Sequence, residues 1–138
     1  MPTVHINFLA VLVAALVAFL LGGLWYSPIL FAKLWVEAHG YTEEKVNEMR
    51  KTASRAYLVS VVCHLGIALA IAVLVHYTGL VNPLQGLKLG LLLWLGFAFT
   101  LGLMGNMFSE KRISTFFIDT GYQLTYLVIM SVILAVWH

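Results

Sequence analysis

Between Ile6 and Pro28 the chain carries no Asp, Glu, Lys or Arg. A helix needs about 20 consecutive apolar residues to cross the hydrocarbon of a bilayer, and this run supplies them. Three comparable runs follow, over 54–75, 84–108 and 113–137, so spans at 6–26, 54–75, 84–108 and 113–137 are expected. The fold class read from this is all-α: a four-transmembrane-helix bundle. Residues 1–138 form one integral membrane domain in this reading.

Composition closes off the soluble alternative. Of the 138 residues, 62% are hydrophobic and 10% charged, against about 25% charged in soluble domains. Mean hydropathy is +0.94. A water-soluble chain of this size would lack the polar residues to cover its surface. The amino-terminal flank Met1-Pro2-Thr3-Val4-His5 has no Lys or Arg, which favours a retained first span over a cleaved signal peptide.

The segment between the first two runs has a different character. Phe31, Leu34, Trp35 and Ala38 recur at helical spacing beside Lys33 and Glu37, the pattern of an amphipathic helix lying in the interface. Gly40 ends it, and Thr42 followed by Glu43 and Glu44 reads as the cap and acidic first turn of a second helix. Of eight Lys and Arg, seven lie in the connections after the first and third runs or, as Arg55, at the edge of the adjoining span, and only Lys88 lies on the opposite side. By the positive-inside rule those connections, with the amphipathic segment, are cytoplasmic and both termini lie outside. The location expected is a cell membrane, the bacterial inner membrane. Glu37, Glu43, Glu44 and Glu48 are mixed among the basic residues, which points to a hydrated loop beside anionic lipid and not to nucleic acid.

Small residues recur every fourth place within the spans: Ala10, Ala14, Ala18 and Gly22 in the first; Ala56, Ser60, His64, Ala68 and Ala72 in the second; Gly86, Gly90, Trp94, Ala98, Gly102 and Asn106 in the third. Such faces let helix backbones approach closely in lipid, within one protomer or between copies of a homo-oligomer. Trp94 on that face reads as a packing or lipid-facing ring.

Polar groups inside the spans are costly and mark functional hypotheses. Asp119 lies about 10 Å past Arg112 along a helix starting there. A polar cluster of Asp119, Arg55, Asn106, Tyr122 and Gln123 is expected at that depth, with Trp25 and Tyr26 as its wall. His64, near the middle of the second span, is either a proton relay or an interhelical hydrogen-bonding group. His5, His39, His76 and His138 fall near the interfaces, and no set has metal-ligand spacing. Cys63 is the only cysteine, so no internal disulfide forms. Neither a metal nor a cofactor is implied, and no nucleophile–base arrangement points to an enzyme.

The elements Asn7-Phe8-Leu9-Ala10, Gly22-Gly23-Leu24-Trp25-Tyr26-Ser27-Pro28 with Leu30, Phe31 and Lys33, Trp94-Leu95-Gly96-Phe97, and Ile118-Asp119-Thr120-Gly121-Tyr122 together resemble the DUF1761 family of small bacterial membrane proteins. The resemblance implies a compact four-span membrane domain and brings no activity with it. It adds Trp25, Tyr26, Ser27, Pro28 and Asp119 to the residues to test. The function expected is an oligomeric channel or transporter for a small solute or ion, the alternative being a structural or interaction protein of the membrane.

Overall fold

The computed structural model describes residues 3–138; Met1 and Pro2 of the uncharged amino-terminal flank lie outside the described residues. Four of its helices are long and apolar enough to cross a membrane: α1 (Phe8–Trp25), α4 (Ala53–Thr78), α5 (Pro83–Phe108) and α6 (Ile113–Val136). Two short helices, α2 (Ala32–His39) and α3 (Glu43–Lys51), occupy the connection between α1 and α4. The chain is an all-α, multi-pass membrane protein.

Local chemistry sets the ends of these helices. Asn7 Oδ1 accepts from the Ala10 amide at 3.2 Å, relieving one of the unpaired donors of the first turn of α1. After Trp25 the chain cannot continue helically into Pro28; the Ser27 hydroxyl takes the Leu24 carbonyl at 2.6 Å. Thr42 Oγ1 accepts from Lys45 N at 3.2 Å to start α3. Gly40 and Gly79 stop α2 and α4 at φ 70° and 68°. At Gly79 the Leu80 amide then reaches back to the Val75 carbonyl at 3.2 Å, the closing bond of a Schellman turn. Asn82 and Gln85 cap α5 reciprocally, with Pro83 in its first turn.

Helix α6 is the hub. It packs against α1, α4 and α5, whereas α5 is seated mainly on α6. The small-residue faces are spent inside this arrangement. Ala10, Ala14 and Ala18 of α1 are fully buried, as is Ala68 of α4. On α5, a Cβ at Gly86 would lie 2.7 Å from the Ser131 carbonyl oxygen and one at Gly90 2.6 Å from Val128 Cα, so the α5 and α6 backbones touch there. Within the protomer these faces serve helix packing, although Ala56 at the start of the α4 stripe stays exposed.

One departure from regular helix explains how α5 keeps its whole stripe on α6. A four-residue spacing advances about 400° on an α-helix, so a stripe drifts about 40° per step and winds off its partner over several turns. Trp94–Phe99 is π-helical, and its wider turn holds more residues and cancels part of the drift. Gly86 and Gly90 before it, and Gly102 and Asn106 after it, all meet α6.

Large apolar side chains point outward on every span, among them Phe8, Leu20, Leu92 and Phe108. Such a surface suits contact with lipid acyl chains. Cys63 is also exposed on this outer surface.

Candidate functional site

The end of α1 delivers two ring donors onto α6. Trp25 Nε1 donates to the Ile118 carbonyl at 3.0 Å, and Tyr26 Oη donates to Asp119 Oδ1 at 2.6 Å. Gly121 makes this docking possible: its missing side chain leaves the Trp25 ring 3.1 Å from where a Cβ would stand. From the opposite side of α6, Trp94 Nε1 donates to the carbonyl and hydroxyl of Thr120 at 2.9 and 3.1 Å. Thus Trp25-Tyr26-Ser27-Pro28, Trp94-Leu95-Gly96-Phe97 and Ile118-Asp119-Thr120-Gly121-Tyr122 converge on one stretch of α6.

Asp119 is half-buried. A carboxylate within a span must be bonded or hydrated, and Tyr26 supplies a bond while a cavity supplies space. This cavity, of about 160 Å³ between α5 and α6, is lined by Asp119, Asn106, Gln123, Thr120, Phe116 and Lys111 among others. Asn106 is buried, with its amide nitrogen donating to the Arg112 carbonyl and to Thr115 Oγ1, both at 3.2 Å. The Thr115 hydroxyl in turn donates to the Arg112 carbonyl at 2.7 Å. The amide orientation follows: the two acceptors claim the NH₂ group, leaving Asn106 Oδ1 buried with no donor among the described residues.

A second polar group lies deeper. Tyr122 Oη donates to the Ala18 carbonyl at 2.7 Å and sits 3.1 Å from His64 Nε2. Gly22 leaves room for that hydroxyl, since a Cβ there would fall 2.6 Å from it. Because the phenol has one proton and gives it to a carbonyl, Nε2 of the neutral His64 ring must carry hydrogen and donate. Nδ1 then accepts from Ser60 Oγ at 3.3 Å. The ring of Tyr126 closes the edge of His64, with centroids 5.1 Å apart. Ser60 and His64 come from α4, Ala18 from α1 and Tyr122 from α6, so one knot ties three spans.

The expected cluster of Asp119, Arg55, Asn106, Tyr122 and Gln123 is thus divided. Asp119, Asn106 and Gln123 share the cavity. Tyr122 turns toward α1 and α4, although its ring meets that of Tyr26 edge-on with centroids 5.5 Å apart. Arg55 is exposed at the start of α4 and, among the described residues, forms no ion pair with Asp119; a long basic side chain at a helix end reaches water more cheaply than it enters the bundle. Trp25 and Tyr26 are nearer the centre of the site than walls: Tyr26 is the partner in the place given to Arg55. Thr115 and Thr120 went unnoticed in the sequence because threonine inside an apolar span carries little hydropathy signal.

At the other end of the bundle, His5, His76 and His138 line one cavity of about 170 Å³ with Asn7 and Trp137. Sequence spacing had left these histidines scattered. His5 and His76 rings stand 6.5 Å apart, and among the described residues no three His, Cys, Asp or Glu are grouped so as to hold a metal ion.

The family model described as "Protein of unknown function (DUF1761)" matches residues 9–135. No curated protein and no solved structure matches the chain.

Proposed function

We propose that this chain, which belongs to the DUF1761 family, carries a small solute or ion across a membrane as a channel or transporter. The observation that supports this best is Asp119: a carboxylate on a membrane-length helix, held by the Tyr26 phenol and opening onto a cavity. Ionisable groups inside spans are rare and are functional hypotheses by default. A second cavity, lined by His5, His76 and His138 among others, lies at the opposite end of the bundle.

In this reading the helices act as one integral membrane domain in a bacterial inner membrane. The basic connections lie in the cytoplasm and both termini outside, supported by the bias of Lys and Arg. Helices α2 and α3 form an amphipathic cytoplasmic segment at the membrane surface. A homo-oligomer would assemble through small-residue positions of the helices, such as the exposed Ala56. The chain is read as no enzyme, on the ground that its sequence carries no nucleophile–base pair and no metal-ligand spacing.

The competing reading is a structural or interaction protein. It is favoured by the closure of the knot, where His64 and Tyr122 have partners on three spans. Flux separates the two. Protein reconstituted in phosphatidylethanolamine–phosphatidylglycerol liposomes is tested for movement of H⁺, Na⁺, K⁺ and n-propylammonium. Flux above empty liposomes that falls at least tenfold in Asp119→Asn supports transport; no flux for any probe, or flux unchanged in a folded Asp119→Asn variant, overturns it.

A further inference from the structure

The cavity between α5 and α6 presents a set of acceptors that the protein itself leaves incompletely used. Asp119 offers Oδ2, which takes no hydrogen bond among the described residues, while Oδ1 is occupied by Tyr26. Asn106, only 7% exposed, lines the same space and keeps an unpartnered Oδ1. Its orientation is fixed, because turning the amide over would set its oxygen against the Arg112 carbonyl, acceptor facing acceptor. Buried polar atoms are normally paired, so an unpaired acceptor beside a carboxylate in a cavity calls for a ligand that brings donors.

We infer that this cavity binds a small organic cation through a primary ammonium group donated to Asp119, beside the buried Asn106 Oδ1. Charge and hydrogen-bond type both point this way. An anion would face a carboxylate and an amide oxygen that can only accept. The hydrogens of a primary ammonium suit the free Oδ2 of Asp119, and Gln123 lines the same space with a side-chain amide. Size separates it from a bare metal ion: about 160 Å³ is several times the ~30 Å³ share of one water in the liquid, room for a few carbon atoms as well. The Phe116 ring in the wall offers an apolar and cation-attracting face to that carbon portion. Lys111, the basic lining residue, belongs to the connection between α5 and α6, not to a span. The inference deepens the transport reading by naming a substrate class and rests on it for passage across the membrane; binding itself is measured without flux.

The test is calorimetric titration of the purified full-length protein with n-propylammonium chloride, beside NaCl, tetramethylammonium chloride and sodium propionate at equal ionic strength. Saturable heat with propylammonium alone is expected, because tetramethylammonium has no N–H and propionate has the wrong sign. Asp119→Asn weakens binding at least tenfold. A second variant guards against misfolding: Gly105 lines the cavity, and a Cβ there would meet nothing within 4 Å, so Gly105→Leu fills the space while leaving every polar group in place. It too loses binding at least tenfold, with an unchanged gel-filtration profile. No saturable heat with wild type, equal binding of Na⁺ or tetramethylammonium, or undiminished binding in Gly105→Leu overturns the inference. Uptake of labelled propylammonium into liposomes is then scored separately. Binding without uptake upholds the site and defeats the transport reading, and uptake indifferent to Gly105→Leu defeats the site alone.

Discussion

The phenol of Tyr26 donates to Oδ1 of Asp119 at 2.6 Å, joining the end of α1 to α6 across 93 positions of sequence. The bond accounts for how a carboxylate is tolerated inside a span, and it holds the carboxylate where the α5–α6 cavity can reach its other oxygen.

Removing the donor exposes that dependence. Tyr26→Phe leaves Asp119 without its protein partner and is expected to cost about 1–3 kcal/mol of stability. Asp119→Asn in the same background recovers part of the loss, since an amide is less costly than an unpaired carboxylate. A double-mutant cycle by denaturant unfolding in micelles checks the coupling; additive effects of the two changes would contradict it.

Gly90 tests the contact between α5 and α6. Gly90→Val forces a side chain into the space where even a Cβ would stand 2.6 Å from Val128 Cα; α5 must lift, at an expected cost of about 1–3 kcal/mol. Gly66, where a Cβ would meet nothing within 4 Å, is the control: Gly66→Ala is neutral or stabilising by up to about 1 kcal/mol. Thermal unfolding midpoints of the two variants give the comparison.

The protonation pattern of His64 depends on Tyr122. In the wild-type protein the neutral ring carries its hydrogen on Nε2, because the phenol proton is given to Ala18. Tyr122→Phe removes the acceptor at Nε2, and the ring shifts toward a mixture of tautomers. ¹⁵N chemical shifts of the labelled imidazole read this directly, and an unchanged tautomer ratio would disprove the assignment.

The π-helical stretch of α5 is tested by shortening it. Deleting Phe97 removes the extra residue that the wide turn holds, so the stretch closes toward regular α-helix and the face carrying Asn106 stays on α6, because the residue lost and the turn tightened offset each other at about 100°. In a Cys63→Ser, Asn106→Cys background, labelling by a water-soluble maleimide should therefore stay as low as with Phe97 present; a several-fold rise on deletion would refute the role given to the π turn.

Orientation has its own check. A phosphatase that folds only outside the cytoplasm, fused after His138, should be active, and the same enzyme inserted at Gly40 should be silent. The reverse pattern would invert the proposed topology.

The sequence by itself determined the features that depend on neighbours along the chain. Four spans follow from apolar runs as long as a bilayer is thick, and the caps at Thr42, Asn82 and Gly79 follow from side chains and backbone only a few residues away. Asp119 was legible as well, because a carboxylate in such a run needs an explanation. Tertiary structure alone decided which groups meet. Arg55 and Tyr26 were both expected near Asp119, and the choice between them turned on where α1 ends and how α6 is rotated. The π turn at Trp94–Phe99 leaves hydropathy unchanged, yet it sets the face on which Asn106 lies. The split between Asp119 at the cavity and Tyr122 at the His64 knot arises because residues three apart on α6 point to different neighbours. Depth in the membrane is written along the chain; rotation about each helix axis is chosen only when the helices pack.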